Sequence, residues 1–400
     1  MDQTSVYNSG FAARVSAIPA AKAVRARIAA IDVVRGLIMF IMLFDHVRES
    51  IYAHVPLTDP LTVADTEPML LITRMAAHFC APLFVFLTGL GAWLYAHPAS
   101  GPRDATGFLL KRGLFLVLLE LVVVNTAWYG ELPPSRLYLQ VIWITGLAMI
   151  VLGLMHKLPM KVLLTVGLVI VAGHNTLGSV RFEQGTVAHA AWTLLMQRDV
   201  LWTGEAFQIK VTYPLLPWIG VILLGYCAGP LYARTMDPAR RQRLMTMLGV
   251  AALFALAVLR GFNIYGENLP WEHGASAFLT VASFFNFTKY PPSLDFLLMT
   301  LGICMLVLPR LEAFDNAFTR VCATLGSVPM FFYLLHLYVL LVMQKSLVWL
   351  FGATHGDRFG VGQYWLVWVV ALALMPLLYL PCRVFARYKR ASTQAWVRYF

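Results

Sequence analysis

Residues 31–48 read IDVVRGLIMFIMLFDHVR, an apolar stretch with charged side chains near both ends. Arg35 and His46 are eleven residues apart. In an α-helix, at about 100° and 1.5 Å per residue, they fall about 20° apart around the axis and about 16 Å apart along it. Asp32 falls on the same stripe. Because one charge near the bilayer centre costs about 2.5–3.5 kcal/mol, this polar stripe should face protein rather than lipid.

The composition of the whole chain is that of a membrane protein. Of its 400 residues, 59 % are apolar and 13 % are charged, whereas soluble domains are about 45–50 % apolar and about 25 % charged. Ten apolar segments approach or exceed the roughly 20 residues that a membrane-spanning helix needs. They are 31–52, 70–96, 109–128, 137–155, 160–175, 214–234, 244–262, 293–309, 327–350 and 363–386. We therefore expect an all-α polytopic membrane protein with about ten transmembrane helices.

The positive charge lies where membrane topology requires it. The net charge is +11, and Lys and Arg concentrate in the loops that fall on the same side of the membrane as the N-terminus. This positive-inside pattern predicts that both termini are cytoplasmic and that 176–213 and 263–292 are extracytoplasmic connections. The charge also attracts the anionic lipid of the bilayer, and it requires no nucleic-acid partner. We expect a cytoplasmic tail over 1–28, a transmembrane domain over 29–386 and a basic cytoplasmic tail over 387–400.

The cysteines indicate neither a disulfide framework nor a zinc site. They are odd in number, lack paired spacing and lie in or beside apolar segments. They are Cys80, Cys227, Cys304, Cys322 and Cys382. We therefore expect no metal among the cofactors.

Other predicted segments carry polar side chains at membrane depth. Arg74 and His78 are at positions i and i+4, so they share a helix face, and Pro82 should kink the helix just after His78. His336 lies well inside the ninth segment, and Lys289 comes just before the eighth. Ionisable residues inside a membrane usually mark a functional site, because their burial is costly.

Four runs of this sequence resemble one known family. Asp32–Gly36 has the form Asp-x-x-Arg-Gly, and His78–Gly89 reads His-Phe-Cys-Ala-Pro-Leu-Phe-Val-Phe-Leu-Thr-Gly. Lys289–Ser293 reads Lys-Tyr-Pro-Pro-Ser, and Val328–His336 ends in Tyr-Leu-Leu-His. In this order, over about 28–385, the runs resemble the bacterial family related to heparan-α-glucosaminide N-acetyltransferase, within the transmembrane acyltransferase superfamily.

The resemblance implies acyl transfer from a cytosolic acyl-CoA, most simply acetyl-CoA, to a hydroxyl or amine of an extracytoplasmic glycan. It implies the inner (cytoplasmic) membrane of a bacterial cell, and it leaves the oligomeric state open, a dimer included. The spacing from Arg35 to His46 is that of the superfamily's first catalytic helix. Arg35 would hold the phosphates of the donor with its bidentate guanidinium, and Arg74 and Arg112 complete the predicted donor-binding set.

Three histidines are candidates for the catalytic base. His46 is the first, because an imidazole with an ordinary pKa near 6.5 suits proton abstraction at neutral pH. In the lysosomal heparan-α-glucosaminide N-acetyltransferase that this family resembles, the position that matches His46 is Asn, and the reacting His follows it. His54 is therefore the second candidate and His78 the third. Asp45 would orient the imidazole of His46 or, equally, pair with Arg48.

The remaining polar residues are assigned to the substrate. We expect His336, Tyr333 and Lys289 to bind it. Arg74, His78 and Tyr333 are candidate donors to the oxyanion that forms during the transfer. The sequence leaves open whether the acyl group passes directly to the acceptor or through an acyl-histidine.

The alternative hypothesis is a proton-coupled transporter of a small polar solute. Such proteins also carry His, Asp, Glu and Arg near the middle of the membrane. Against it, the two halves of the chain show no matching pair of broken segments. Binding of coenzyme A distinguishes the two functions.

Overall fold

The computed structural model describes residues 20–205 and 207–400. Residues 1–19 of the predicted cytoplasmic tail lie outside this part of the chain. The described residues are mostly helical. Their helices are α1 (Ala20–Ile51), α2 (Pro68–Ala76), α3 (Cys80–Ala96), α4 (Thr106–Leu119), α5 (Asn125–Tyr129), α6 (Val141–Met155), α7 (Met160–Gly173), α8 (Val187–Leu195), α9 (Leu216–Cys227), α10 (Pro238–Gly261), α11 (Ala277–Phe284), α12 (Leu294–Leu311), α13 (Ala317–Gly326), α14 (Pro329–Phe351) and α15 (Trp365–Ala391).

Six helices within the described residues are long and apolar enough to cross a membrane. They are Pro68–Ala96, which joins α2 to α3, Met160–Leu177, and the helices α10, α12, α14 and α15. Helix α1 is not one of the six, because it carries four charged residues between Asp32 and Arg48. Helices α6 and α9 are apolar but shorter. The chain is thus a multi-pass, mainly helical membrane protein, and the count of ten spans and the sides of the termini stay predictions.

Helix α1 is the element around which the others pack. It contacts α2, α3, α12, α13, α14 and α15. Its closest neighbour is α13, because two glycines let the backbones touch. A Cβ atom at Gly36 would overlap the carbonyl oxygen of Cys322, and one at Gly326 would overlap that of Asp32. The apolar side chains of α1 that face these helices, Ile38, Met39 and Leu43 among them, are fully buried.

Two helices change geometry next to polar residues. A 3₁₀ turn, Ala77–Phe79, separates α2 from α3, as Pro82 predicts. A π-helical turn, Glu120–Val124, separates α4 from α5. Because this turn lets Glu120 face α6, its Oε2 atom accepts the backbone N–H groups of Ile142 (3.1 Å) and Trp143 (3.2 Å). Glu120 thus satisfies the first turn of α6, whose N–H groups have no partner within the helix.

A small β-sheet was not foreseen from the sequence. Its strands are β1 (Arg136–Leu139), β2 (Asp199–Thr203) and β3 (Gln208–Val211), in the order β1-β3-β2. Strand β3 pairs in parallel with β1 and antiparallel with β2. The connection 176–213, which the sequence predicts to be extracytoplasmic, therefore contains α8 and two strands and folds back onto the segment before α6.

The approach of α1 to α13 predicts a difference between two glycine substitutions. Gly36→Ala should destabilise the protein by about 1–3 kcal/mol, because the added methyl group must displace a backbone carbonyl. Gly107→Ala, in α4, has no atom within 4 Å of the new Cβ and serves as the control. Thermal unfolding in detergent measures both variants. Equal midpoints for the two would contradict the close packing.

The predicted topology can be tested with two exposed positions. Val187, on α8, is 87 % exposed, and the side chain of Asp315, between α12 and α13, is 78 % exposed. A membrane-impermeant thiol reagent should label Val187→Cys in intact cells and Asp315→Cys only after permeabilisation. The parent protein, with its five native cysteines, measures the background. Labelling of Asp315→Cys in intact cells would exclude the predicted orientation.

Candidate active site

Three cations line a cavity at the N-terminal half of α1. This inner cavity has a volume of about 190 Å³ and lies between α1, α3, α4, α6, α14 and α15. Its cationic lining residues are Arg35, Arg112 and Lys389, and its lining residues include no Asp or Glu. Met42, Phe84, Leu116 and Met330 form much of its apolar wall. The cavity therefore suits a ligand that is anionic at one part and apolar at another.

The three cations are held in different ways. Arg35 pairs with Asp32 (3.2 Å) and donates to the carbonyl of Leu87 (3.2 Å). Lys389 donates to the carbonyl of Ser327 (2.9 Å). Arg112 lies over the ring of Phe108, and its Nε atom is buried without a hydrogen-bond partner among the described residues.

Lys389 is a lining residue that the sequence analysis missed. It belongs to the run Arg383, Arg387, Lys389 and Arg390, and it was placed in the basic tail, where cations usually set membrane orientation. In the structure α15 continues to Ala391, so Lys389 lies on its last turn and reaches the inner cavity. No local signal separates Lys389 from its neighbours, because only its position on α15 relative to α13 directs it inward.

His46 lies beyond the inner cavity and contacts a second histidine. Its Nδ1 atom is 2.6 Å from Nε2 of His336, and the two rings are nearly parallel. The Nδ1 atom of His336 is 2.9 Å from the carbonyl oxygen of Phe332. His336 is completely buried, whereas His46 keeps part of its surface exposed. The two predicted site histidines, 290 residues apart, are thus brought together.

Two aromatic rings pack against His46, and each of them lines a different cavity. Tyr333 packs edge-on against His46 with ring centroids 6.1 Å apart, and Tyr333 lines the inner cavity. Trp128 packs edge-on against His46 at 5.0 Å, and Trp128 lines a separate cavity toward the C-terminal end of α1. His46 itself lines neither cavity, but it packs against one lining residue of each.

The second cavity lies at the C-terminal end of α1, where Glu49 and Ser50 line it. This outer cavity, of about 110 Å³, is lined by Glu49, Trp128, Tyr129, Gln344 and Lys345, among others. It adjoins a wider cavity of about 700 Å³, and the two share four lining residues. These are Ser50, Tyr129, Asp357 and Arg358.

His54 lies in the wider cavity and not beside His46. Its ring stacks on His355 with centroids 3.8 Å apart, and both histidines line the cavity wall. Partial burial and the neighbouring His355 lower the pKa of His54 below its ordinary value. The position of His54 is therefore that of a residue at the entrance to the outer cavity.

Asp45 and Arg74 form a buried pair of their own. Both carboxylate oxygens of Asp45 accept from the guanidinium of Arg74, at 3.1 and 2.9 Å, and Arg48 lies 3.7 Å away. Asp45 makes no hydrogen bond to His46 among the described contacts, and Arg74 does not line the inner cavity. Of the two partners that the sequence left open for Asp45, His46 and Arg48, the structure pairs it with Arg48.

His78 and Lys289 are also enclosed by protein. His78 is 5 % exposed, packs edge-on against Phe296, and its Nδ1 atom lacks a partner among the described residues. Lys289 is 3 % exposed and lies near the ring of Tyr290. Its backbone N–H is held by Asp59, whose carboxylate lies 3.2 Å away. Of the candidate oxyanion donors, Tyr333 lines the inner cavity, whereas Arg74 and His78 do not line it.

The described residues contain no group of three or more His, Cys, Asp or Glu side chains that could hold a metal ion. The cysteines among them are all free, and three of the five are fully buried.

A comparison with models of known protein families shows to which family the chain belongs. Residues 27–265, more than half of the chain, match the family described as heparan-alpha-glucosaminide N-acetyltransferase, catalytic. The chain belongs to this family. No curated protein sequence matches it.

The family is one of acetyltransferases, as its description states. The matched region contains Arg35, His46 and Arg112, whereas His336 and Lys389 lie beyond it. Neither the family nor the fold of the described residues supports the transporter hypothesis.

Proposed function

We propose that this protein is an integral-membrane acyltransferase of the inner membrane. It transfers an acetyl group from acetyl-CoA on the cytoplasmic side to an amine or hydroxyl of a glycan on the other side. The observation that carries this proposal is that His46 packs against Tyr333, which lines the inner cavity, and against Trp128, which lines the outer cavity. A base in contact with both cavity walls can serve a donor bound in one cavity and an acceptor bound in the other.

The charge of the inner cavity supports binding of the donor there. Coenzyme A carries phosphates at one end and a thioester at the other, and it cannot cross lipid. Arg35, Arg112 and Lys389 offer guanidinium and ammonium groups for the phosphates, and the apolar wall accepts the acyl-bearing arm. Arg74 is left out of this role, since its guanidinium is taken by Asp45.

The chemistry follows from one free nitrogen of His46. In direct transfer, His46 accepts the proton of the attacking N–H or O–H group while the nitrogen or oxygen bonds to the thioester carbonyl carbon. The C–S bond then breaks, and the leaving thiolate takes that proton from His46. The hydroxyl group of Tyr333 is the donor best placed to stabilise the oxyanion. An acyl-histidine route would use the same nitrogen as the nucleophile, and rapid chemical quenching would trap it.

The outer cavities are where we place the acceptor. Trp128 and Tyr129 offer aromatic faces, and Glu49, Gln344 and Asp357 offer hydrogen-bonding groups of the kind that bind sugars. The wider cavity leaves room for the rest of a longer glycan. Mass analysis of cell-envelope glycans with and without this gene tests the acceptor, and a missing acetyl group on an amine or on a hydroxyl identifies the bond formed.

If the inner cavity binds the donor, the affinity for coenzyme A should depend on the cations that line this cavity and not on cations just outside it. Arg35→Ala and Lys389→Gln should each weaken the binding of coenzyme A about tenfold or more, because one charge-assisted hydrogen bond contributes about 1.5–3 kcal/mol. Arg35→Lys should also bind more weakly, since an ammonium group lacks the bidentate fork. Calorimetry on the detergent-solubilised protein measures the affinity.

Arg387→Gln is the matched control for Lys389→Gln. Arg387 lies two residues earlier on α15 and is exposed. Its replacement should leave the affinity for coenzyme A unchanged. Unchanged affinity in Arg35→Ala and Lys389→Gln as well would remove the donor from the inner cavity.

The base assignment predicts a loss of turnover without a loss of donor binding. His46→Ala should lower acetyl transfer to glucosamine by about a hundredfold or more, since a general base contributes roughly 10²- to 10⁴-fold. Affinity for coenzyme A and the unfolding midpoint should stay near those of the parent. His54→Ala and His78→Ala should cause smaller losses, and His273→Ala, on an exposed loop, is the control. If His46→Asn keeps most activity, or His54→Ala shows the large loss, the base is not His46.

A further inference from the structure

His336 connects the backbone of α14 to His46. Its Nδ1 atom faces the carbonyl oxygen of Phe332, one helical turn earlier, at 2.9 Å. Its Nε2 atom faces Nδ1 of His46 at 2.6 Å. Both distances are those of hydrogen bonds. The result is a chain of three groups, from a carbonyl through one imidazole to the next.

The carbonyl at one end determines the position of each proton in this chain. A carbonyl oxygen only accepts, so the Nδ1 atom of His336 must carry the hydrogen. In a neutral imidazole the other nitrogen is then an acceptor, so Nε2 of His336 accepts from Nδ1–H of His46. The Nε2 atom of His46 is left without a hydrogen, and it has no hydrogen-bond partner among the described residues.

Burial makes His336 the neutral member that this argument requires. The side chain is completely enclosed, and a buried unpaired cation is costly. The carboxylate of Asp45, which lies next to His46 in sequence, is already bound by Arg74 and Arg48. His336 therefore accepts a hydrogen bond and carries no charge.

We propose that His336 is a positioning residue for the acyl transfer described above, and this inference rests on that proposed function. Its Nε2 atom keeps the proton of His46 on Nδ1, so that the lone pair of His46 Nε2 is available to the acceptor. When His46 takes the acceptor's proton on Nε2, its Nδ1–H remains bonded to His336, and this bond stabilises the imidazolium until the thiolate removes the proton. His336 itself gains and loses no proton and contacts no substrate.

Two substitutions at His336 separate this role from packing. His336→Gln keeps an acceptor, since its side-chain carbonyl reaches about as far as Nε2, and His336→Phe keeps the ring but has no acceptor. We expect His336→Phe to lower kcat for acetyl transfer to glucosamine about a hundredfold with KM for acetyl-CoA unchanged, and His336→Gln to retain at least a tenth of the parent kcat. Equal losses in the two variants, or a change confined to KM, would overturn the proposal. His273→Phe controls for the substitution itself.

Nitrogen NMR tests the proton position without any substitution at His336. In the full chain, labelled at histidine with ¹⁵N and held in nanodiscs, the ring signals of His46 are those that disappear in His46→Ala. We expect a protonated Nδ1 and an unprotonated Nε2 for His46 at neutral pH. Observation of a protonated Nε2 and an unprotonated Nδ1 would overturn the proposal, whether or not the His336 variants fold.

The two levels of the proposal fail in different experiments. If the parent protein neither binds coenzyme A nor transfers acetyl, the proposed function is wrong even where the NMR signals show the expected proton positions. If His46→Ala abolishes transfer while His336→Phe keeps the parent kcat, the function stands and the positioning role of His336 is wrong.

Discussion

Helix α1 must carry ionisable side chains through the apolar part of the protein, and the rest of the structure depends on this constraint. A charge exposed to lipid is costly, so each polar side chain of α1 needs a partner or a cavity. Asp32 pairs with Arg35, and Arg35 borders the inner cavity. Asp45 binds Arg74 from α2, and His46 binds His336 from α14. Helix α1 is therefore surrounded by other helices, and the proposed chemistry lies along it.

The arrangement of these partners separates charge from catalysis. Near His46, the carboxylate of Asp45 is bonded to Arg74. The imidazole of His46 is therefore bonded to the neutral His336 and not to this carboxylate. Cations without carboxylate partners among the described residues, Arg112 and Lys389, are found instead at the inner cavity, where an anionic donor would neutralise them. The rings of Tyr333 and Trp128 both pack against His46, and Tyr333 lines the inner cavity while Trp128 lines the outer one.

Much of the site was visible in the sequence because its signals are local. The helical period alone places Arg35 and His46 on one stripe. Pro82 predicts a kink just after His78, and the structure has a 3₁₀ turn over Ala77–Phe79. The motif runs predict the acetyltransferase family to which residues 27–265 belong. In contrast, the β-sheet between 136 and 211 has no alternating apolar pattern strong enough to separate it from a loop.

Local pattern and helix geometry thus account for the membrane class, the polar stripe of α1 and the family, because these properties depend on residues within one or two helical turns or on runs read in order. The packing of distant helices accounts for the rest. It brings His46 into contact with His336. It directs Lys389 to the inner cavity while Arg387 stays exposed. It also pairs Asp45 with Arg74 and not with His46. No periodicity within one segment contains this information, since which face of one helix meets which face of another follows from close packing over the whole chain.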